Sequence, residues 1–365
     1  MMFYDFRCFC GVLLLLVRSV SALPYGLGTA VLLTMAQFNP IFISGFPRSG
    51  TTMVAAILDR HSAIAIPPET YFFEAMKGMR DMPSDSPRPQ LMDHLLNAYG
   101  MRDLGLQSNA VCPLLNGAEF KPKHIFRAIL TAYQQQRSKP MIGEKTPRHM
   151  MQADKLLAWY PEAKMIFVIR DGRDAVASIL KVPWRNHDIV RLHAATWRRY
   201  MAIACQIKQR FENRCIFVKY EDIVSRPEEQ VRRLDQFCGV PFEAQQVSAS
   251  VPTRVVPKWE EPWKLLATGP IEPDHTGQWR TVFTPTDQWA LNHTMSPYLK
   301  LLGYRDYTLS GCPLPRRLWL AATGLLLRTG ETRKIYRAAL ARFESSQRNE
   351  SVCQLEEIPQ PSKVV

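Results

Sequence analysis

The stretch that most constrains this chain runs from Ile41 to Thr70. It opens on an apolar, β-branched run, Ile41-Phe42-Ile43, long enough only for a buried strand. Gly45-Phe46-Pro47-Arg48-Ser49-Gly50-Thr51-Thr52 follows, and then a helical pattern from Met53 to Leu58 that Ala55 to Arg60 completes. A strand, a glycine-bounded turn and a helix make a cradle for an anion, because backbone N–H groups of the turn and of the helix start point outward together. A plain glycine turn ahead of a helix is the competing reading of these residues alone.

The two glycines, Gly45 and Gly50, have the spacing of the phosphate-binding loop G-x-x-x-x-G-K-[ST], but Thr51 stands where that loop keeps its lysine. The basic residue is instead Arg48, in the middle of the turn. The group that reaches the terminal phosphates of a nucleoside triphosphate is therefore missing, which argues against a kinase or nucleotide hydrolase. That class remains the alternative, with Asp171 as its magnesium carboxylate. A non-catalytic anion-binding or membrane-associated protein is a third reading.

Pro47-Arg48-Ser49-Gly50-Thr51-Thr52 resembles the 5′-phosphosulfate loop of sulfotransferases that use 3′-phosphoadenosine 5′-phosphosulfate. The continuation through Leu58-Asp59-Arg60-His61 and Pro68-Glu69-Thr70 is most similar to tyrosylprotein sulfotransferases and their bacterial relatives. The resemblance implies that Arg48, Ser49, Gly50, Thr51 and Thr52 hold the phosphosulfate and that Glu69 is the general base. It also makes Lys145, in Gly143-Glu144-Lys145-Thr146-Pro147, a contact to the sulfonate. Ile64, Ile66 and Pro67 around Glu69 lead us to expect burial that raises its pKa toward a useful range. His61 is a rival base, placed by the pattern in the helix-end turn, where it packs or caps.

A second apolar strand, residues 164–169, ends at Arg170; a turn with Gly172 then leads into a helix carrying Ser178. Guanidinium and hydroxyl two helical turns apart suit one phosphate, and the arrangement resembles the ribose 3′-phosphate site of the family. A third strand, 215–219, precedes Tyr220-Glu221-Asp222; the family's tyrosine in this context lies near the donor nucleotide, so Tyr220 is a candidate beside a packing role. Gly277-Gln278-Trp279-Arg280 is similar to the loop that closes the family's site, which adds Arg280. Gly303-Tyr304 resembles the family's closing L-G-Y.

Strands alternating with helices predict an α/β fold, a P-loop-type parallel sheet flanked by helices with ligand at the strands' carboxyl ends. One sulfotransferase domain over 38–307 is expected, between an N-terminal segment 1–37 and a basic helical tail 308–365. The first segment reads as an over-extended gene start ahead of Met35, a signal peptide or an anchor. Translation from Met35 implies a cytoplasmic protein; otherwise it is exported or membrane-associated. The sequence also predicts a loop over 81–90, helices over 91–99, 121–137 and 188–211, and a helix from Pro147, capped by Thr146, to about Tyr160. Trp197 and Tyr200 are expected in the core. The region 71–140 is where acceptor specificity is expected.

Lys and Arg exceed Asp and Glu by 13, which suits an anionic ligand, an acidic substrate or a membrane surface. No zinc-finger or RNA-binding pattern points to nucleic acid. Seven basic residues between Arg316 and Arg342 against the single Glu331 suit peripheral contact with an anionic membrane, or an ordinary docked helix. The eight cysteines include no C-x-x-C and form no zinc spacing, so we expect buried thiols and no metal; disulfides stay open. The acceptor is not identified by any motif.

Overall fold

The computed structural model describes residues 38–79, 83, 86–182, 189–271 and 276–304. The segment 1–37 and the tail 308–365 lie outside the described residues, so the start-site, signal-peptide and membrane-contact expectations fall outside them too.

The strands are β1 (Ile41–Gly45), β2 (Ile64–Ala65), β3 (Met141–Lys145), β4 (Lys164–Ile169) and β5 (Cys215–Lys219). They form one five-stranded sheet in the order β2-β3-β1-β4-β5, and every pairing is parallel. The principal helices are α1 (Thr51–Arg60), α2 (Phe72–Gly78), α3 (Arg88–Leu96), α4 (Pro122–Gln136), α5 (Ala153–Trp159), α6 (Gly172–Ile179), α7 (Val190–Arg210), α8 (Tyr220–Ser225), α9 (Pro227–Cys238) and α10 (Pro285–Leu301).

β1 is buried along its whole length, as a central strand covered on both faces must be. On one face Phe42 stacks with Phe126 of α4 at 6.2 Å and with Tyr160 at 6.1 Å. On the other, Ile41 and Ile43 pack with Val54, Ile57 and Leu58 of α1. α1 is buried on every side, which explains why its middle, Met53 to Leu58, is apolar all round. From β1 the chain visits β3's side of the sheet, then crosses β1 to begin β4. The reversal leaves a crevice at the carboxyl end of β1, the place where open parallel sheets bind ligands.

The pattern missed β2, which is only two residues long, and β3, whose Gly143, Glu144 and Lys145 are not strand formers. The helix expected from Pro147 is instead a 3₁₀ turn, Pro147–Gln152, followed by α5. Thr146 does not cap it: its hydroxyl donates to Glu144 Oε1 at 2.6 Å. Part of the loop expected over 81–90 is the start of α3, since Pro87 presets the helix entry and residues 88–90 are helical. Cys205, Cys215 and Cys238 are buried thiols, and Cys112 is free and half-buried. Trp197 is fully buried and donates to the Arg170 carbonyl at 3.3 Å. Asn292 of the sequon Asn292-His293-Thr294 is 4% exposed and accepts from Arg173, so a glycan has no access to it in the folded chain.

Candidate active site

The turn between β1 and α1 alternates handedness: Arg48 has φ +68° and Gly50 φ +94°. Such alternation turns successive N–H groups toward one point. No side chain caps α1, so the N–H groups of its first turn are left for a ligand. Gly50 has a second reason to lack a side chain, because a Cβ there would lie 2.6 Å from the Tyr220 ring. Gly50→Ala must therefore move Tyr220 and strain the backbone by about 1–2 kcal/mol. If the turn is the phosphosulfate cradle that the sequence resemblance implies, the substitution weakens binding of the desulfated donor, adenosine 3′,5′-bisphosphate, at least about tenfold with unchanged circular dichroism, the backbone strain and the displaced ring acting together; full affinity by calorimetry would mean that the turn is not the cradle.

Two guanidinium groups meet at this turn. Arg48 Nε donates to Ser178 Oγ at 3.1 Å and its Nη2 to the Trp263 carbonyl at 3.2 Å. Arg170 donates to the Arg48 carbonyl at 2.9 Å and lies 4.3 Å over the Tyr220 ring. Burial, and then the charge of Arg170, hold the Arg48 guanidinium below the usual arginine range. Like charges brought together in a cleft are what an anion requires. Arg170 and Ser178 thus share Arg48 between them.

Below the turn lies a carboxylate with two ammonium groups. Lys145, fully buried at the end of β3, reaches Glu69 Oε1 at 2.5 Å and Thr52 Oγ1 at 3.3 Å. It thereby brings an amine to the start of α1 from a neighbouring strand, although the turn itself has no lysine. Lys264 reaches the same Oε1 at 2.7 Å and Glu260 Oε2 at 2.7 Å. The Tyr71 hydroxyl faces the same carboxylate, and burial and then the Glu69 charge push it above the usual tyrosine range. The expectation of a raised Glu69 pKa is overturned: burial does push it up, but Lys145 and Lys264 outweigh burial and hold it at about 2. The apolar neighbours in sequence are not the neighbours in space. Lys264, between two carboxylates, is raised despite its burial, whereas burial keeps Lys145 lowered.

One residue further along each segment, Thr70 Oγ1 and Thr146 Oγ1 both donate to Glu144 Oε1, at 2.9 and 2.6 Å. His149 Nδ1 lies 2.9 Å from Glu144 Oε2, and the Thr70 N–H donates to Thr146 Oγ1 at 3.1 Å. This buried network sets the Glu69 segment in register with Lys145.

Phe46, Arg48, Gly50, Thr51, Thr52, Glu69, Arg170, Ser178 and Tyr220 line one cleft of about 1230 Å³. Tyr71, Tyr99, Trp259 and Trp263 form an aromatic wall on it, with ring centroids 5.0, 5.5 and 6.1 Å apart in turn. Ser49 is fully buried and its hydroxyl has no hydrogen-bond partner. Arg280 does not line the cleft: it is exposed and lies 4.6 Å over Trp279. Its loop is pinned where Asp174 accepts the N–H groups of Gly277 and Trp279, at 2.7 and 2.9 Å; Gln278 is the residue of this loop that reaches the cleft. His61 is 1% exposed, its Nε2 2.7 Å from the Pro241 carbonyl and its Nδ1 accepting the Ala63 N–H, and it does not line the cleft. Asp171 is not available to a magnesium ion: it caps α6 and is gripped by Arg173 at 2.6 Å. Among the described residues no His, Cys, Asp and Glu cluster forms a metal site.

Lys264, Glu260 and Tyr71 are the side chains grouped around Glu69 that sequence reasoning missed. An acid and an amine four apart in Glu260-Glu261-Pro262-Trp263-Lys264 were the available signal.

A parallel sheet with this cleft at the carboxyl end of β1 defines a P-loop-type α/β fold. A family model described as "Sulfotransferase family" matches residues 40–244, and the chain belongs to that family. It is similar to protein-tyrosine sulfotransferase A of Caenorhabditis elegans, 28% identical over 275 residues, covering 72% of this chain and 67% of the relative. Protein-tyrosine sulfotransferase 1 of Danio rerio is 31% identical over 206 residues, 55% of this chain and 53% of the relative. Nodulation protein NoeE of Sinorhizobium fredii is 27% identical over 216 residues, 53% of this chain and 48% of the relative. The chain thus spans about half to two thirds of these relatives. Among solved structures, the sulfotransferase domain of the Synechococcus PCC 7002 olefin synthase shares the fold at TM-score 0.53 and 19% identity, covering 72% of this chain and 95% of that one.

Proposed function

We propose that this protein transfers a sulfonate group from 3′-phosphoadenosine 5′-phosphosulfate to an acceptor hydroxyl or amine, by in-line displacement with Glu69 as general base. The observation that carries this reading is the Glu69–Lys145 pair beside Thr52, under the uncapped start of α1 and the Arg48 guanidinium. Bound there, the donor supplies the sulfonate and a phosphate leaving group. The donor set fits a doubly anionic nucleotide: an open N–H cradle on one side, and Arg48, Arg170 and Ser178 on the other.

In this reading the N–H groups from Gly50 to Thr52 hold the phosphosulfate, the Ser49 N–H being spent on the Phe46 carbonyl at 3.1 Å, and Arg170, Ser178 and Tyr220 hold the 3′-phosphate. Arg48 and Lys145 carry positive charge to the leaving oxygen, where one preorganised donor contributes about 3–4 kcal/mol. Glu69 Oε2 is left to take the acceptor's proton, since Oε1 is held by both lysines. The aromatic wall beside Glu69 forms the acceptor's side of the cleft. The names of the relatives differ in what they describe, a protein-tyrosine enzyme or a nodulation protein, so the acceptor is left to experiment.

Calorimetric titration with adenosine 3′,5′-bisphosphate without magnesium, beside ATP with magnesium, tests the reading. We expect micromolar or tighter bisphosphate binding, weakened by about 2 kcal/mol or more in Arg170→Ala through loss of a charge-assisted contact. Binding of ATP with magnesium alone would replace this reading with the kinase class, Lys145 then serving as the lysine that the turn lacks.

A further inference from the structure

Lys264 belongs to a part of the chain that the family match, residues 40–244, does not reach. Yet its ammonium group stands on the same oxygen of Glu69 as Lys145 does. Lys264, Glu69 and Glu260 are 7%, 6% and 4% exposed, so water reaches little of any of these charges from the cleft they line. Glu69 and Glu260 share the one ammonium, Lys264 lying 2.7 Å from each. The segment that carries Lys264 is anchored from outside the cleft as well, where Trp259 donates to Asp103 Oδ2 at 3.1 Å. From within, the Trp263 carbonyl accepts Arg48.

We propose that Lys264 is a positioning residue for the base: it fixes the aim of the Glu69 carboxylate by holding Oε1, and Glu260 is the second carboxylate to which it can withdraw when an acceptor enters. The inference rests on the reading of Glu69 as the base. Lys145 is a poor candidate for the same task, because its ammonium also serves Thr52 at the cradle. Lys264 has no such duty.

The charged and titratable groups facing Glu69 come from several elements. They are Lys145 from β3, Arg48 from the turn after β1, Tyr71 from its own segment, Tyr99 from the turn after α3, and Lys264 with Glu260. With two ammonium groups beside it, Glu69 stays ionised down to about pH 2. Withdrawal of Lys264 leaves burial opposed by Lys145 and the more distant Arg48, so the carboxylate becomes a stronger base just as an acceptor hydroxyl arrives. In the transfer itself the acceptor oxygen forms its bond to sulfur, the bond from sulfur to the phosphate oxygen breaks, and the acceptor's proton passes to Glu69.

The test is a carboxyl ¹³C titration of the full chain labelled at glutamate side chains, with the Glu69 signal assigned by its loss in Glu69→Gln. In the wild type we expect no movement between about pH 4 and about pH 8, because the group titrates below that window. In Lys264→Met the signal should titrate inside the window, and Lys264→Arg should restore the flat line. Glu260→Gln should leave it flat, since Lys264 then serves Glu69 alone. A flat line in Lys264→Met overturns the proposal, and so does a tenfold loss of bisphosphate affinity in that variant, which would make Lys264 a donor-binding residue. A second measurement follows bisphosphate release from the donor into water without acceptor, expected to be at least about fivefold faster in Lys264→Met as the freed carboxylate takes the proton of water. If neither protein binds bisphosphate nor releases it, the sulfonate-transfer reading fails, while the carboxyl titration still decides the role of Lys264 at Glu69.

Discussion

If Glu69 is the base proposed above, Glu69→Gln is expected to lower the turnover of sulfonate transfer by about 10²–10⁴-fold, the range that a positioned general base contributes, and to leave bisphosphate affinity within about threefold of wild type. The glutamine keeps the shape and one acceptor oxygen, so Lys145 retains a hydrogen bond. It cannot take a proton from the acceptor. The substitution also removes the counter-ion of a fully buried lysine, and breaking such a pair costs on the order of 3 kcal/mol of stability. Bisphosphate calorimetry therefore accompanies the rate measurement, made with the best acceptor from a panel of phenols, sugars and amino alcohols. Lost turnover with retained binding identifies the base. Retained turnover would show that the acceptor is deprotonated elsewhere.

The same carboxylate links stability to pH. Its folded pKa of about 2 lies below its unfolded value. The stability it contributes is therefore present in full above about pH 4.5 and is lost as the pH falls toward 2.

Arg173→Met lowers stability by about 3–5 kcal/mol, and in a domain of this size that lowers Tm by about 10 °C. Arg173 is 1% exposed, and its guanidinium has a partner on every side. It grips Asp171 from Nε and Nη2 at 2.9 and 2.6 Å, donates to Asn292 at 3.1 Å, and lies 4.0 Å over the Trp279 ring. Methionine fills part of the volume but leaves Asp171, 7% exposed, with its charge uncompensated. Asp171 caps α6, the helix that carries Ser178, and directly follows Arg170, so the loss should also weaken bisphosphate binding. Thermal unfolding measures the first effect; a change below about 1 kcal/mol would mean that water or a rearranged side chain replaces the guanidinium.

The turn after β1 and the strand end at Arg170 were legible in the sequence because each is local. A turn between a strand and a helix needs its glycines and its arginine within eight residues, and a strand end with the following helix needs Arg170 and Ser178 at a fixed spacing. Local backbone geometry dictates both, so their residue types show in the order of the chain. The parallel α/β class followed from the same alternation of buried runs and helices.

What only the tertiary structure decided is the electrostatic state of Glu69, the base proposed above. Around Glu69 the sequence shows Ile64, Ile66 and Pro67, from which a raised pKa is the natural expectation. The fold instead brings Lys145 from 76 residues away and Lys264 from 195 residues away onto one oxygen. Neither contact leaves a periodicity or a motif, because a charge pair in a buried cleft depends on distance in space and on the exclusion of water. β3 was missed for a related reason: Glu144 and Lys145 are strand residues that the site needs, and they disguise the strand that carries them. The chain's own order thus determined the glycine-bounded turn and its arginine, while folding determined that the carboxylate beside it is held charged.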